Sequence, residues 1–105
     1  MSDSGVEKVD RDDAPLGEMG QVYLASGTDV AMRLWDAVEP GEPKPEAARD
    51  YETVGYVLTG QATLIVGGEE LPLGPGESWV VPRGALHTYR ITATFTAVEA
   101  TSPPA

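Results

Sequence analysis

Twelve glycines and nine prolines are spread along the 105 residues, a punctuation that disfavours a bundle of long helices. The apolar residues between them come in short bursts. Only Val30–Val38 is as long as a short helix, and its i, i+3, i+4 positions include Arg33, which spoils an apolar stripe. The spacing predicts eight strands instead: Gln21–Ala25, Val30–Val38, Thr53–Leu58, Ala62–Val66, Glu69–Leu73, Ser78–Val81, Leu86–Ile91 and Thr94–Ala100. Turns are expected at Ser26–Asp29, Thr59-Gly60-Gln61, Gly67-Gly68, Gly74-Pro75-Gly76 and Pro82-Arg83-Gly84. Pro40, Gly41, Pro43 and Pro45 mark a longer loop. The residues from 53 to 73 read as a continuous meander. So many short strands must close on themselves or form a second sheet, because open edges invite association. The expected fold class is all-β, a small antiparallel β-barrel or jelly roll.

One domain of this length can bury one modest core. Residues 1–20 lack a hydrophobic period and read as a flexible acidic arm, with the barrel at 21–100 and a Pro-containing tail at 101–105. The arm holds Asp3, Glu7, Asp10, Asp12, Asp13 and Glu18 against Lys8 and Arg11. The whole chain has 17 acids, 7 bases and a formal charge of −10, so phosphate backbones are poor partners and no nucleic-acid role is expected. With no cysteine, disulfides, thiolate zinc sites and thiol nucleophiles drop out. No basic start followed by an apolar stretch appears near Met1, and no run is long enough to span a bilayer. The expectation is a cytoplasmic protein without a membrane partner.

Hydrolase chemistry of the serine type is disfavoured, because Gly76-Glu77-Ser78-Trp79-Val80 lacks the second glycine of a nucleophile elbow. Gly67-Gly68 is followed by Glu69-Glu70, which would repel a phosphate. The informative segment is Gly76 to His87, with the spacing G-x5-P-x-G-x2-H. Gly76 turns the chain into a strand, Pro82 and Gly84 turn it out, and His87 opens the return strand, aimed at the barrel mouth. Strand alternation puts His87, Tyr89 and Ile91 on one face.

That segment resembles the second motif of the cupin superfamily, and the chain is similar to small bacterial cupins with a degenerate metal site. The place of the family's usual following Asn is Ile91. The first motif, G-x5-H-x-H-x3-E-x6-G, lies on Gly41 and Gly60 with every spacing kept. In that register its two His places are Ala47 and Arg49 and its Glu place is Thr53, so three of four metal ligands implied by the resemblance are missing.

His87 is the sole histidine, and a catalytic metal needs about three protein ligands. The expected reading is a cupin of non-catalytic or weakly catalytic type, without a cofactor, that binds a small organic molecule in the barrel cavity. Candidate pocket residues are His87, Tyr89, Arg49, Glu52 and Tyr56; a guanidinium at Arg49 would favour a carboxylate guest. One alternative is a metal-dependent dioxygenase or isomerase holding a divalent transition metal through His87, Glu46 and Glu52. Another is a dimeric structural module. Trp35, Trp79, Tyr56, Tyr89 and Phe95 are expected in the core or an interface, and a homodimer is expected.

Overall fold

The computed structural model describes residues 5–17 and 20–105. The parts of the expected arm at Met1–Ser4 and Glu18–Met19 lie outside the described residues. Among the described residues a 3-10 turn at Arg11–Asp13 is followed by six strands: β1 Gln21–Ser26, β2 Ala31–Val38, β3 Glu52–Val66, β4 Glu69–Leu73, β5 Ser78–Val81 and β6 His87–Ser102. All pairings are antiparallel, in the order β1-β2-β6-β3-β4, with β5 on the other side of the first half of β3.

Two of the seven expected breaks are absent, because β3 and β6 are long bent strands. They pair from Glu52↔Ser102 to Val66↔His87, with bulges between Val57 and Ala62. The expected turn at Thr59-Gly60-Gln61 is therefore one of these bulges. Gly60 makes it possible: its φ is +84°, and a Cβ there would collide with the Thr94 carbonyl on β6. The expected meander is corrected as well. Thr53–Tyr56 pair with β5 and β6, and only Ala62–Val66 form a hairpin with β4. β6 also runs two residues past the expected domain end, since Thr101 is buried between partners Ala31 and Thr53.

The bends fold the sheet over itself as a jelly roll. One half joins β1, β2, the end of β6, the start of β3 and β5; the other joins the start of β6, the end of β3 and β4. Inward residues from both halves, among them Trp35, Val57, Leu64, Leu73, Trp79, Ile91 and Phe95, make one core. Alternation along each strand sets which side chains enter it. Of the five aromatics expected in core or interface, Trp35, Trp79 and Phe95 are buried and Tyr89 packs against them, whereas Tyr56 is 46% exposed on the outer face. The described part of the arm lies beside β1: Leu16 bridges Val22, the Tyr23 amide donates to the Pro15 carbonyl at 2.9 Å, and Arg11 pairs with Asp36.

Candidate functional site

The 39–51 loop is tied down at the mouth of the barrel. Ala47 and His87 exchange backbone hydrogen bonds of 3.0 and 3.1 Å, and the Arg49 carbonyl accepts from the Gly84 amide at 2.9 Å. The Thr88 hydroxyl donates to the Lys44 carbonyl at 2.8 Å. These ties lock the loop to the Pro82–Gly84 turn, where Gly84 takes φ +82° before β6 begins. The sequence folds this way because the prolines deny the loop any ladder of its own, leaving its amides and carbonyls to β6.

Behind the loop is a cavity of about 240 Å³. Ala47, Arg49, Thr53 and His87 all line it, so the four places of the two motifs do converge on one space, in the register expected from Gly41 and Gly60. What they offer is a methyl group, a guanidinium, a hydroxyl and one imidazole. His87 Nδ1 lies 2.9 Å from the Ala85 carbonyl, which only a protonated Nδ1 can satisfy, so the neutral ring keeps its lone pair on Nε2. Its ring meets Tyr89 edge to face at 5.6 Å.

Trp35 and Tyr89, 5.1 Å apart and edge to face, form an aromatic wall. The Trp79 indole donates to the Tyr89 hydroxyl at 3.1 Å. Burial pushes the Tyr89 phenol well above its ordinary range, and Glu99 pushes it further, so the ring stays neutral. At the floor, Arg33 Nη2 sits 2.6 Å from Glu99 Oε1, with both side chains almost wholly buried. The contact is an ion pair without the alignment of a good hydrogen bond, and Arg33 Nε and Trp35 Nε1 also lack acceptors. Burial works against the Arg33 charge, but Glu99 and Tyr51 outweigh it and hold the guanidinium above its ordinary value. The Tyr51 ring caps the guanidinium, its centroid 5.4 Å away.

Of the expected pocket residues, the structure brings His87, Tyr89 and Arg49 together. Glu52 and Tyr56 are corrected: Thr53 and Val57 point inward on β3, so both alternate residues point outward and are exposed. The candidate metal set is not assembled, since Glu46 and Glu52 are exposed and neither lines the cavity. Among the described residues no group of three His, Cys, Asp or Glu could hold a metal ion. Of charged groups among the described residues the cavity is lined by Arg33, Lys44 and Arg49 against Glu99, an excess of two positive charges that repels a cation. The residues present do not fit the divalent metal of the resemblance.

Sequence reasoning missed Arg33, Glu99, Tyr51 and Lys44 as site residues. A signal existed for two of them. Ala31, Arg33 and Trp35 alternate on β2, and Phe95, Ala97, Glu99 and Thr101 on β6, so each charge stands in an otherwise inward row. Arg33 and Glu99 are also direct register partners.

A jelly-roll barrel with a loop-capped cavity at its mouth, lined by the four motif positions, is the architecture of a cupin. The family match agrees: the cupin domain covers residues 34–101, about two thirds of the chain, and the chain belongs to that family. An RmlC-like cupin from Shewanella frigidimarina is similar in structure, with a TM-score of 0.74, 18% identity, and coverage of 88% of this chain and 86% of that one. TT1209 from Thermus thermophilus is similar at a TM-score of 0.69 and 26% identity over 88% and 91% of the two chains. An 82-residue segment is 32% identical to a Myxococcus xanthus protein named endoribonuclease YbeY, covering 78% of this chain and 28% of that protein. The chain thus spans under a third of the curated relative it matches. Among the described residues no helix is long and apolar enough to cross a membrane.

Proposed function

We propose that this cupin is a binding protein, non-catalytic or weakly catalytic, that holds a small organic molecule in its barrel cavity. One observation carries the reading: the four motif positions surround a single cavity, yet only His87 among them is a metal donor. The scaffold of the site is kept while its ligand set is replaced. The cavity is below the roughly 300–1,000 Å³ usual for drug-sized ligands, which suits a metabolite. A cytoplasmic setting and a homodimer belong to the same proposal. The dimer is supported by a largely apolar outer groove holding Met32, Val54, Tyr56 and Val98. An RNA-cleaving role, which the name of the Myxococcus relative would suggest, finds no support in a chain of net charge −10.

The test is a thermal-shift screen of metabolites on metal-free protein, with elemental analysis after reconstitution with iron, zinc, nickel and manganese. A compound that favours the native state raises the melting temperature, and His87→Ala reduces that shift. A full equivalent of tightly held metal per chain would overturn the proposal.

A further inference from the structure

We infer that the cavity takes a small organic monocarboxylate, whose carboxylate is held by Arg49 with Lys44 beside it. This rests on the binding function proposed above and names the class of guest.

The first support is charge. Among the described residues three basic side chains, Arg33, Lys44 and Arg49, line this one cavity against a single acid, Glu99, in a chain with 17 acids and 7 bases. Glu99 is committed to Arg33. Arg49 and Lys44 pair with no carboxylate among the described residues, so their charges remain available to a guest. A guanidinium presents two parallel N–H groups that match a carboxylate edge to edge.

The second support is position. Arg49 occupies one of the places where the resemblance puts a metal-ligating histidine, and its backbone is pinned to Gly84. Its long side chain therefore starts from a fixed point on the cavity wall. The side chain supplies the positive charge that a metal would otherwise bring, and an anionic oxygen is its complement.

The third support sets the guest's other end. A neighbouring space of about 140 Å³ shares Trp35, Lys44 and Tyr89 with the cavity and adds Glu39 and Glu42. A molecule reaching past the aromatic wall meets these two acids. They disfavour a second carboxylate and admit a neutral or donor-bearing tail, so the site selects one negative charge, not two.

The experiment titrates the protein with benzoate, pyruvate and butyrate, with the matching amides, with butylamine, and with terephthalate and succinate as dianions. Calorimetry measures affinity, and the Trp35 indole N–H resonance reports entry into the cavity. At least one monocarboxylate is expected to bind about tenfold or more tightly than its amide and its dianionic counterpart, the value of one charge-assisted contact. Arg49→Gln abolishes that preference, Arg49→Lys keeps part of it, and Lys44→Gln weakens it less. Arg49 is exposed, and an unchanged melting temperature of each ligand-free variant verifies its fold. Equal affinity for amide and carboxylate, or unchanged carboxylate binding in Arg49→Gln, overturns the inference while leaving a binding protein. If only amides or butylamine bind, the guest class is wrong and the binding function stands. If no compound of any charge binds, here or in the wider metabolite screen, both fall.

Discussion

Arg33 and Glu99 face each other across β2 and β6, and both have left water. A buried pair is weak evidence for stability, but removing one member leaves the other charge uncompensated. Glu99→Leu is therefore expected to cost about 3–5 kcal/mol in urea denaturation. Arg33→Met together with Glu99→Leu recovers most of that loss; an additive double variant would contradict the coupling. Tyr89 gives a second residue-level prediction, in pH. Its folded phenol is held above the unfolded value of about 10, so below pH 10 both states keep the proton and stability is unaffected. Above pH 10 the unfolded chain releases the proton first, and stability falls by up to about 1.4 kcal/mol per pH unit. Tyr89→Phe lacks this term, and its stability declines less steeply from pH 10 to 11. That His87 and Arg49 face the cavity was legible from motif spacing, since loop and turn carry a fixed count of residues between Gly41, Gly60 and Gly76. Glu52 and Tyr56 were misplaced because motif proximity was read without the two-residue period that sends them outward from Thr53 and Val57. The Arg33–Glu99 pair needed the register of two strands over sixty residues apart, which no local pattern supplies.

The elements were legible as apolar bursts, and the six observed strands begin and end within two residues of the expected limits wherever a true turn follows. One error lay in treating Gly60 as a turn, and the other in ending a strand at Ile91, where Thr92-Ala93 holds no turn residue. Gly67-Gly68, both at positive φ, closes the β3–β4 hairpin, whereas Gly60, also at positive φ, bends β3 without reversing it. Sequence cannot separate the two cases, because the deciding contact is the approach of Thr94 on β6. Gly60→Ala must accept φ +84° and push that backbone away. A loss of about 2–3 kcal/mol or more is expected, read as a lower urea midpoint with an unchanged slope. Gly55→Ala meets the buried Trp79 ring, a side chain and not backbone, so its cost is expected at about 1–3 kcal/mol. Trp79→Leu in the Gly55→Ala background relieves the collision but not that of Gly60→Ala, a pairing that separates side-chain crowding from backbone crowding.

At the scale of the molecule, charge and apolar surface are distributed against each other. Cations gather at the cavity mouth, while the opposite face of the same half-sheet carries an uncharged row: Met32 on β2, Val98 and Ala100 on β6, Val54 and Tyr56 on β3 and Val80 on β5. Met32, Val54, Tyr56 and Val80 are 43–53% exposed, and strand pairing places them side by side. The proposed homodimer buries this row, whose own side chains are uncharged, with the outward Glu52 at its edge beyond Val54. Each copy nevertheless brings a formal charge of −10, and the two repel at long range. Salt shortens that repulsion, with a Debye length of about 30 Å at 0.01 M and about 8 Å at 0.15 M, and leaves apolar burial intact. Dimerisation is accordingly expected to tighten as salt rises, the reverse of carboxylate capture at the mouth, which salt weakens. Sedimentation at the two ionic strengths checks the first trend and calorimetry the second. Val54→Asp with Tyr56→Asp is expected to give a monomer that still binds its guest, because neither side chain lines the cavity. A monomer mass for the unaltered protein at high micromolar concentration and 0.15 M salt would rule the pairing out.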